Sequence, residues 1–298
     1  MGSLVYAVLA HREPGQLGRL VERLTQHGST AVVHVDGRAD LRPFDEAASG
    51  RATFTRRRVK VTWGGYSLAR ALFTVIEDAL AADPDATHVQ VLSGLDYPAR
   101  PEADLEAHVV PGRSYVNFYP MLPGSQFDTI PHSWCFRDQY ALLPGDWGKR
   151  AYRLVDRLNR RLPRRTPPVQ LYRGSAWMCL ARPAAEYVVA AARDREHRRV
   201  MRYLRTINVP DEIAVQSLLA GSPLAATLEG WEGGAFRPEE KRVYHHYIDW
   251  DPARENPAVL DLDDLPAIRA SEQYFVRKVD PTRSATLMDE LDATSTRR

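Results

Sequence analysis

Residues 4–36, LVYAVLAHREPGQLGRLVERLTQHGSTAVVHVD, decide the fold. Leu4 to Ala10 form an unbroken apolar run, the form taken by a strand buried on both faces of a parallel sheet. From Pro14 to Gln26, Leu17, Leu20, Val21 and Leu24 recur at helical spacing, and Gly28 stands just past the end as a stop. TAVVHVD is then a second apolar run. Strand, helix and strand in this order predict a parallel pair joined by a right-handed crossover.

Working outward, Ser67 to Ala82 reads as an amphipathic helix. Thr87 to Leu92 reads as a third buried strand that ends in the polar loop SGLDYP. The fold class is therefore α/β with a mostly parallel central sheet, and ligand-binding residues should gather beyond the carboxyl ends of its strands. Pro111 to Gly148 mixes aromatics, prolines and glycines and is expected to form short strands and loops walling a cleft. Arg150 to Arg165 is a basic helix and hairpin, either a solvated face or a contact for an anionic acceptor. Pro183 to Arg195 and Val209 to Leu219 read as helices, the second begun by Pro210, Asp211 and Glu212. Residues 1–280 are expected to form one domain, with a nucleotide-binding half at about 1–110 and an acceptor and catalytic half at about 111–280. Residues 281–298 read as a polar tail that frays.

Composition removes several function classes. The 298 residues carry 40 Lys and Arg against 38 Asp and Glu, so no global field draws the chain to a nucleic acid polymer or an acidic membrane. Cys135 and Cys179 lack metal-site spacing and read as free or buried thiols, which suits a reducing cytoplasm. LVYAVLA is too short for a signal-peptide core, and no apolar run reaches the roughly 20 residues of a membrane span. The expectation is a soluble cytoplasmic protein of open oligomeric state.

No GxGxxG or GxxxxGK[ST] follows the first strand, which disfavours a dinucleotide oxidoreductase and a P-loop NTPase. Instead the strand runs through Leu9 and Ala10 into His11, which serves either a ligand's base or ribose or a structural hydrogen bond. Asp36 ends the second strand in HVDGR, beside Arg38. It either accepts hydrogen bonds from a uracil or ribose or caps the turn before Gly37. A carboxylate loop holding a divalent ion on a diphosphate should follow a buried strand. Asp83 and Asp85 close a helix, and Asp261 to Asp264 lie in LDLDDLP, so neither pair fits. In the absence of a metal, cations must hold the diphosphate, and Arg277 and Lys278 of YFVRKVD are candidates. Glu212 of NVPDE stands in the first turn of a helix, where an acid either caps or accepts a proton from an attacking hydroxyl. Trp63, Trp177 and Trp231 either stack on a sugar or fill the core, and Asp96 of SGLDYP either anchors its loop or touches a sugar.

The segments YAVLAH, AVVHVDGR, VTWGGYSLARA, THVQVLSGLDYPARP, LYRGSAWMCLAR, VPDE with QSLLAGSP, YIDW and DLPAIRASEQYFVRKVD occur in the order found in the core-2/I-branching β-1,6-N-acetylglucosaminyltransferase family. That family includes peptide O-xylosyltransferases, and the chain resembles its short bacterial members over most of residues 4–280. The resemblance implies a GT-A type, Rossmann-like α/β/α sandwich without a working Asp-x-Asp. It also implies a UDP-sugar donor, inversion at the anomeric carbon, and no metal or other cofactor. By motif position Glu212 matches the catalytic base, Asp36 the uridine-contacting acid and Lys278 the diphosphate lysine, with Arg277 beside it and Leu9, Ala10 and His11 bordering the uridine pocket. Trp63, Asp96, Trp177 and Asp211 are expected on the acceptor or sugar side. His246 occupies the place of an arginine that many relatives use as a second diphosphate contact, and Trp177-Met178 replaces a Trp-Trp pair.

The resulting expectation is transfer from a UDP-sugar to a hydroxyl of a sugar-containing or small-metabolite acceptor. One alternative is a non-catalytic sugar-nucleotide or glycan-binding protein on the same fold. Another is a metal-dependent hydrolase built from His11, His34, Asp36, His245 and His246.

Overall fold

The computed structural model describes residues 2–141, 146–159, 162, 166–231 and 244–295. Its opening follows the expected order, with β1 (Leu4–Ala10), α1 (Pro14–Thr25), β2 (Thr30–Val35), α2 (Arg42–Ala48), β3 (Thr53–Phe54), α3 (Tyr66–Ala82) and β4 (His88–Ser93). Later strands are β5 (Asp96–Pro98), β6 (Tyr119–Pro120), β7 (Tyr172–Arg173), β8 (Cys179–Ala181), β9 (His246–Ile248) and β10 (Phe275–Arg277). The central sheet has the order β3-β2-β1-β4-β8. Its first four strands run parallel, with Val8 opposite both Val33 and Leu92, while β8 returns antiparallel on β4, with Cys179 opposite Gln90.

The continuous apolar runs are explained by what covers the two faces. Val5, Ala7 and Leu9 pack toward Leu72, Val75 and Ile76 of α3. Leu4, Tyr6, Val8 and Ala10 pack toward Leu17, Leu20, Val21 and Leu24 of α1. Neighbouring residues point to opposite faces of a strand, and each fully buried Val or Leu contributes roughly 1.5–3 kcal/mol. An alternating polar pattern would have exposed one of these faces.

Two features of this topology place the site. Because β8 is antiparallel to β4, the chain before Cys179, including Arg173, Gly174 and Trp177, lies at the carboxyl edge of the parallel strands. A second sheet, β5-β10-β9, pairs Arg277 with Asp96 on one side and with Ile248 on the other.

The structure departs from the sequence reading in two elements. The expected helix over Val209–Leu219 is divided into a 3-10 turn, Pro210–Glu212, and a helix, Ala214–Ala220, with Ile213 between them. Val209 adopts φ 48° before the turn. The chain after Asp280 is not a fraying tail through its described residues. Ala285–Ser295 is helical, and Leu287, Met288 and Leu291 are buried against Tyr97, Leu260 and Val276. Arg19 ties this helix to α1 through Asp289 (2.7 Å) and Asp292 (2.6 Å).

Candidate active site at the carboxyl edge of the sheet

At the junction of β1 and β2, the buried Leu9 and Ala10 form a floor, and the Asp36 amide donates to the Ala10 carbonyl at 2.8 Å. Asp36 Oδ1 accepts the amides of Arg38 (2.8 Å) and Val61 (3.3 Å). The same carboxylate presents Oδ2, 4.0 Å from the Arg38 guanidinium. Asp36 thus caps its turn with one oxygen and turns the other toward the Arg38 guanidinium. Gly37 eases a close approach, because a β-carbon there would lie 3.1 Å from the backbone of Val59 and Lys60, a tight contact. Arg38 is held by the Val61 carbonyl and by Thr62 Oγ1 at 3.3 Å. His11 is exposed at the end of β1, and its pKa lies below the usual imidazole value. Enclosure by nearby protein lowers it first and Arg12 second, against an opposing pull from Asp36.

Beneath the cleft lies a closed group of charges that corrects two expectations. Asp96 is completely buried. Its Oδ1 accepts from Arg277 at 2.7 Å, while Oδ2 accepts the Ser93 amide at 2.7 Å and faces His246 Nε2 at 3.2 Å. Burial works to raise the Asp96 pKa, but the opposing pull of Arg277 and His246 prevails and holds it below the ordinary value. Asp96 is therefore an internal anchor with no surface for a sugar. His246 is not a phosphate contact either: its side chain is buried, Nδ1 faces the Tyr244 carbonyl at 3.2 Å, and its ring stacks on Phe275. Arg277 lies between Asp96 and Trp177, 4.1 Å from the indole centroid. Trp177 is half-buried and carries a cation on one face, so it supports the floor. Trp231 packs on Phe118 and Tyr172 in the core.

Lys278, the next residue, turns toward a cleft of about 560 Å³ lined by Arg12, Glu255, Asn256, Val259, Lys278, Asp280 and Arg283. Its ammonium is 3.7 Å from the exposed Glu255. Arg12 follows His11 at the end of β1, so one cation from the first strand joins Lys278 and Arg283 from late in the chain at one opening. The sequence reading named Lys278 and missed Arg12 and Arg283, whose positions in loops carry no local signal.

A separate wall is built on the Pro210–Glu212 turn. Glu212 is about one-third exposed, and its Oε2 takes both bonds from Arg173, one from Nε at 2.8 Å and one from a terminal nitrogen at 2.5 Å. This leaves Oε1 with no bond from Arg173. Arg173 in turn lies over the Phe127 ring at 4.6 Å, which fixes the pair's orientation. The Gly174 amide donates to the Glu212 carbonyl at 2.8 Å, joining the turn to the Trp177 loop. A β-carbon at Gly174 would fall 2.0 Å from the Asn117 carbonyl oxygen, so the loop approaches Glu212 only through glycine. Asp211 is buried with Oδ1 lacking a hydrogen bond. Burial, then the neighbouring Glu212 charge, pushes its pKa up to about 7. Asp211 consequently supports the turn from within. Trp63 is the exposed member of the set, at 72%. Its ring faces the Arg137 guanidinium at 4.9 Å, and Gly64 beside it accepts the Val209 amide at 3.1 Å, which places Trp63 on the rim next to the Glu212 turn.

The acids and histidines weighed as metal ligands at other positions have internal partners. Asp83 accepts the amides of Asp85 and Ala86, and Asp261 and Asp264 form a capping box strengthened by Arg254. His34 accepts the Val59 amide, and burial drives its pKa down to about 4. His245 faces Gln90 inside the core. These residues do not converge as the hydrolase reading would need. Among the described residues one group has metal-ligand spacing, Asp194, Glu196 and His197 on the surface. Its His197 amide and ring both bond to Asp194, the pattern of a turn cap.

A mostly parallel sheet with helices on both faces, and a charged cleft at its carboxyl edge, is the arrangement of a GT-A-like α/β fold. Residues 136–269 match the family model described as Core-2/I-Branching enzyme. Over 296 residues the chain is 24% identical to the protein named Xylosyltransferase oxt of Drosophila melanogaster, covering 93% of this chain and 31% of that one. The protein of the same name from Drosophila pseudoobscura pseudoobscura is 24% identical over 294 residues, with the same shares. The chain is thus similar to the Core-2/I-branching enzymes over residues 136–269, and it spans about a third of the length of the curated relatives it matches.

Proposed function

We propose that the chain is an inverting glycosyltransferase that moves a sugar from a UDP-sugar to a hydroxyl of a sugar-containing or small-metabolite acceptor without a divalent metal. The observation that carries this reading is the pairing of Glu212, held by Arg173 through one oxygen with the other left for a proton, with a separate cleft where Arg12, Lys278 and Arg283 gather. In the proposed reaction the acceptor hydroxyl gives its proton to Glu212 Oε1 as its oxygen bonds to the anomeric carbon. The bond from that carbon to the diphosphate breaks on the opposite face, which inverts the centre. Lys278, assisted by Arg12 and Arg283, stabilises charge accumulating on the leaving UDP, a role that preorganised cations fill without rearrangement. Asp36 Oδ2 is the acceptor offered to the uridine.

The name of the Drosophila relatives, xylosyltransferase, makes UDP-xylose the first donor to try. Calorimetric titration with UDP, UDP-xylose, UDP-glucose and UDP-N-acetylglucosamine, each with EDTA and again with manganese, tests the reading. Metal-free binding that prefers one sugar and is lost in Lys278→Ala is expected. Binding that needs manganese, or that survives in Lys278→Ala, would sink the diphosphate assignment.

A further inference from the structure

The helix Asp146–Asn159, DWGKRAYRLVDRLN, carries an apolar face that is left uncovered among the described residues. Trp147 is 71% exposed, Leu154 57% and Leu158 48%. At 100° per residue these three positions fall within about 40° of one another, so they form one stripe. Leu162, just beyond the helix, is exposed as well. The inward side is a different one: Ala151, Val155 and Asn159 are half-buried, and the Asn159 amide donates to the Trp134 carbonyl at 3.1 Å.

The charges beside the stripe identify what it meets. Residues 149–165 contain Lys149, Arg150, Arg153, Arg157, Arg160, Arg161, Arg164 and Arg165 against the single acid Asp156. Arg150 and Arg157 are exposed, and their helical positions flank the stripe on its outer side. The near-neutral balance of the whole chain hides this local excess of positive charge. A purely solvated basic face would not present Trp and two Leu in register, and a core-facing helix would not leave them exposed. An apolar stripe bordered by arginine, with tryptophan at one end, is the pattern of a helix that lies in a membrane interface.

We propose that this helix docks the protein onto an anionic lipid bilayer, with Trp147, Leu154 and Leu158 entering the headgroup and acyl boundary and the arginines held by anionic headgroups. No helix among the described residues is long and apolar enough to cross a membrane, so the attachment is peripheral. It is also reversible by salt, because its electrostatic part fades over a Debye length.

The test is sedimentation of the full chain with phosphatidylcholine vesicles, with and without phosphatidylglycerol, at low and high salt. Wild type is expected to sediment with the phosphatidylglycerol vesicles and to leave them at high salt, with a blue shift of tryptophan emission on binding. Each arginine near the surface adds about fivefold in affinity, so Arg150→Ser with Arg157→Ser should weaken binding about twenty-five-fold. The triple change Trp147→Ser, Leu154→Ser, Leu158→Ser should abolish the blue shift. Unchanged circular dichroism and UDP titration show that these surface variants remain folded, and they keep the result separate from the transferase reading. Failure of wild type to bind anionic vesicles, equal binding by the triple variant, or binding to polyglutamate in place of vesicles would overturn the proposal.

Discussion

The floor beneath the cleft and the wall that carries Glu212 each pair a carboxylate with an arginine, but they differ in what is left over. On the floor, Asp96 is completely buried and both oxygens are engaged, by Arg277, His246 and the Ser93 amide. On the wall, Glu212 is partly open to solvent and Arg173 takes one oxygen alone. A buried carboxylate with every oxygen partnered has no capacity left for a substrate. A partly exposed one with an oxygen that Arg173 does not take, oriented by a guanidinium that itself rests on Phe127, retains that capacity. The comparison teaches that ion pairing alone does not separate an internal anchor from a carboxylate with an oxygen left over.

The sharpest way to break the comparison is to alter each acid separately. Glu212→Gln should lower turnover about 10²–10⁴-fold while leaving the melting temperature and UDP affinity nearly unchanged, as read by a coupled UDP-release assay beside thermal melts. Asp96→Ala should do the reverse. It leaves Arg277 and His246 facing an empty site, and breaking a buried pair costs about 3–5 kcal/mol, measurable by urea unfolding. If Asp96→Ala folds normally and loses only turnover, the division into floor and wall is wrong. Lys278→Ala should weaken UDP binding about 10–100-fold, the contribution of a charged hydrogen bond, with a smaller effect on stability because this side chain meets Glu255 only at 3.7 Å.

The smallest effect sharpens the picture of the wall. Asp211 has its pKa raised from 3.8 to about 7 by burial and by Glu212. Between those values the folded chain holds a proton that the unfolded chain releases, so this group lowers stability as pH rises from about 4 to about 7, by up to about 1.4 kcal/mol per pH unit. Asp211→Asn removes that titration. Its stability relative to wild type should therefore improve from pH 4 to pH 7 in urea unfolding, and a flat difference would show that Asp211 is ionised inside the fold.

The first half of the sheet was legible because burial on both faces leaves its mark on consecutive residues, as in Leu4 to Ala10. Glu212, Asp36 and Lys278 were singled out as candidates by their positions in ordered motifs. The partnership of Asp96 with Arg277 and His246 joins residues more than 140 apart in sequence, and no local spacing reports such a meeting. Arg173 lay within a quoted motif, yet its role depends on a turn 39 residues later. The closing helix was missed because Leu287, Met288 and Leu291 supply only a narrow apolar stripe among polar neighbours, and the partner they cover, Tyr97, is far away in the chain.

Gly174 has a consequence for anyone who would move this site elsewhere. Its loop runs so close to the Asn117 carbonyl that even a methyl group has no room, and the same residue holds the Glu212 backbone. The segment 173–177 is therefore not a portable cassette. Grafting it onto another scaffold requires bringing the segment around Asn117 as its matching half, and a saturation library at position 174 screened for function should return glycine.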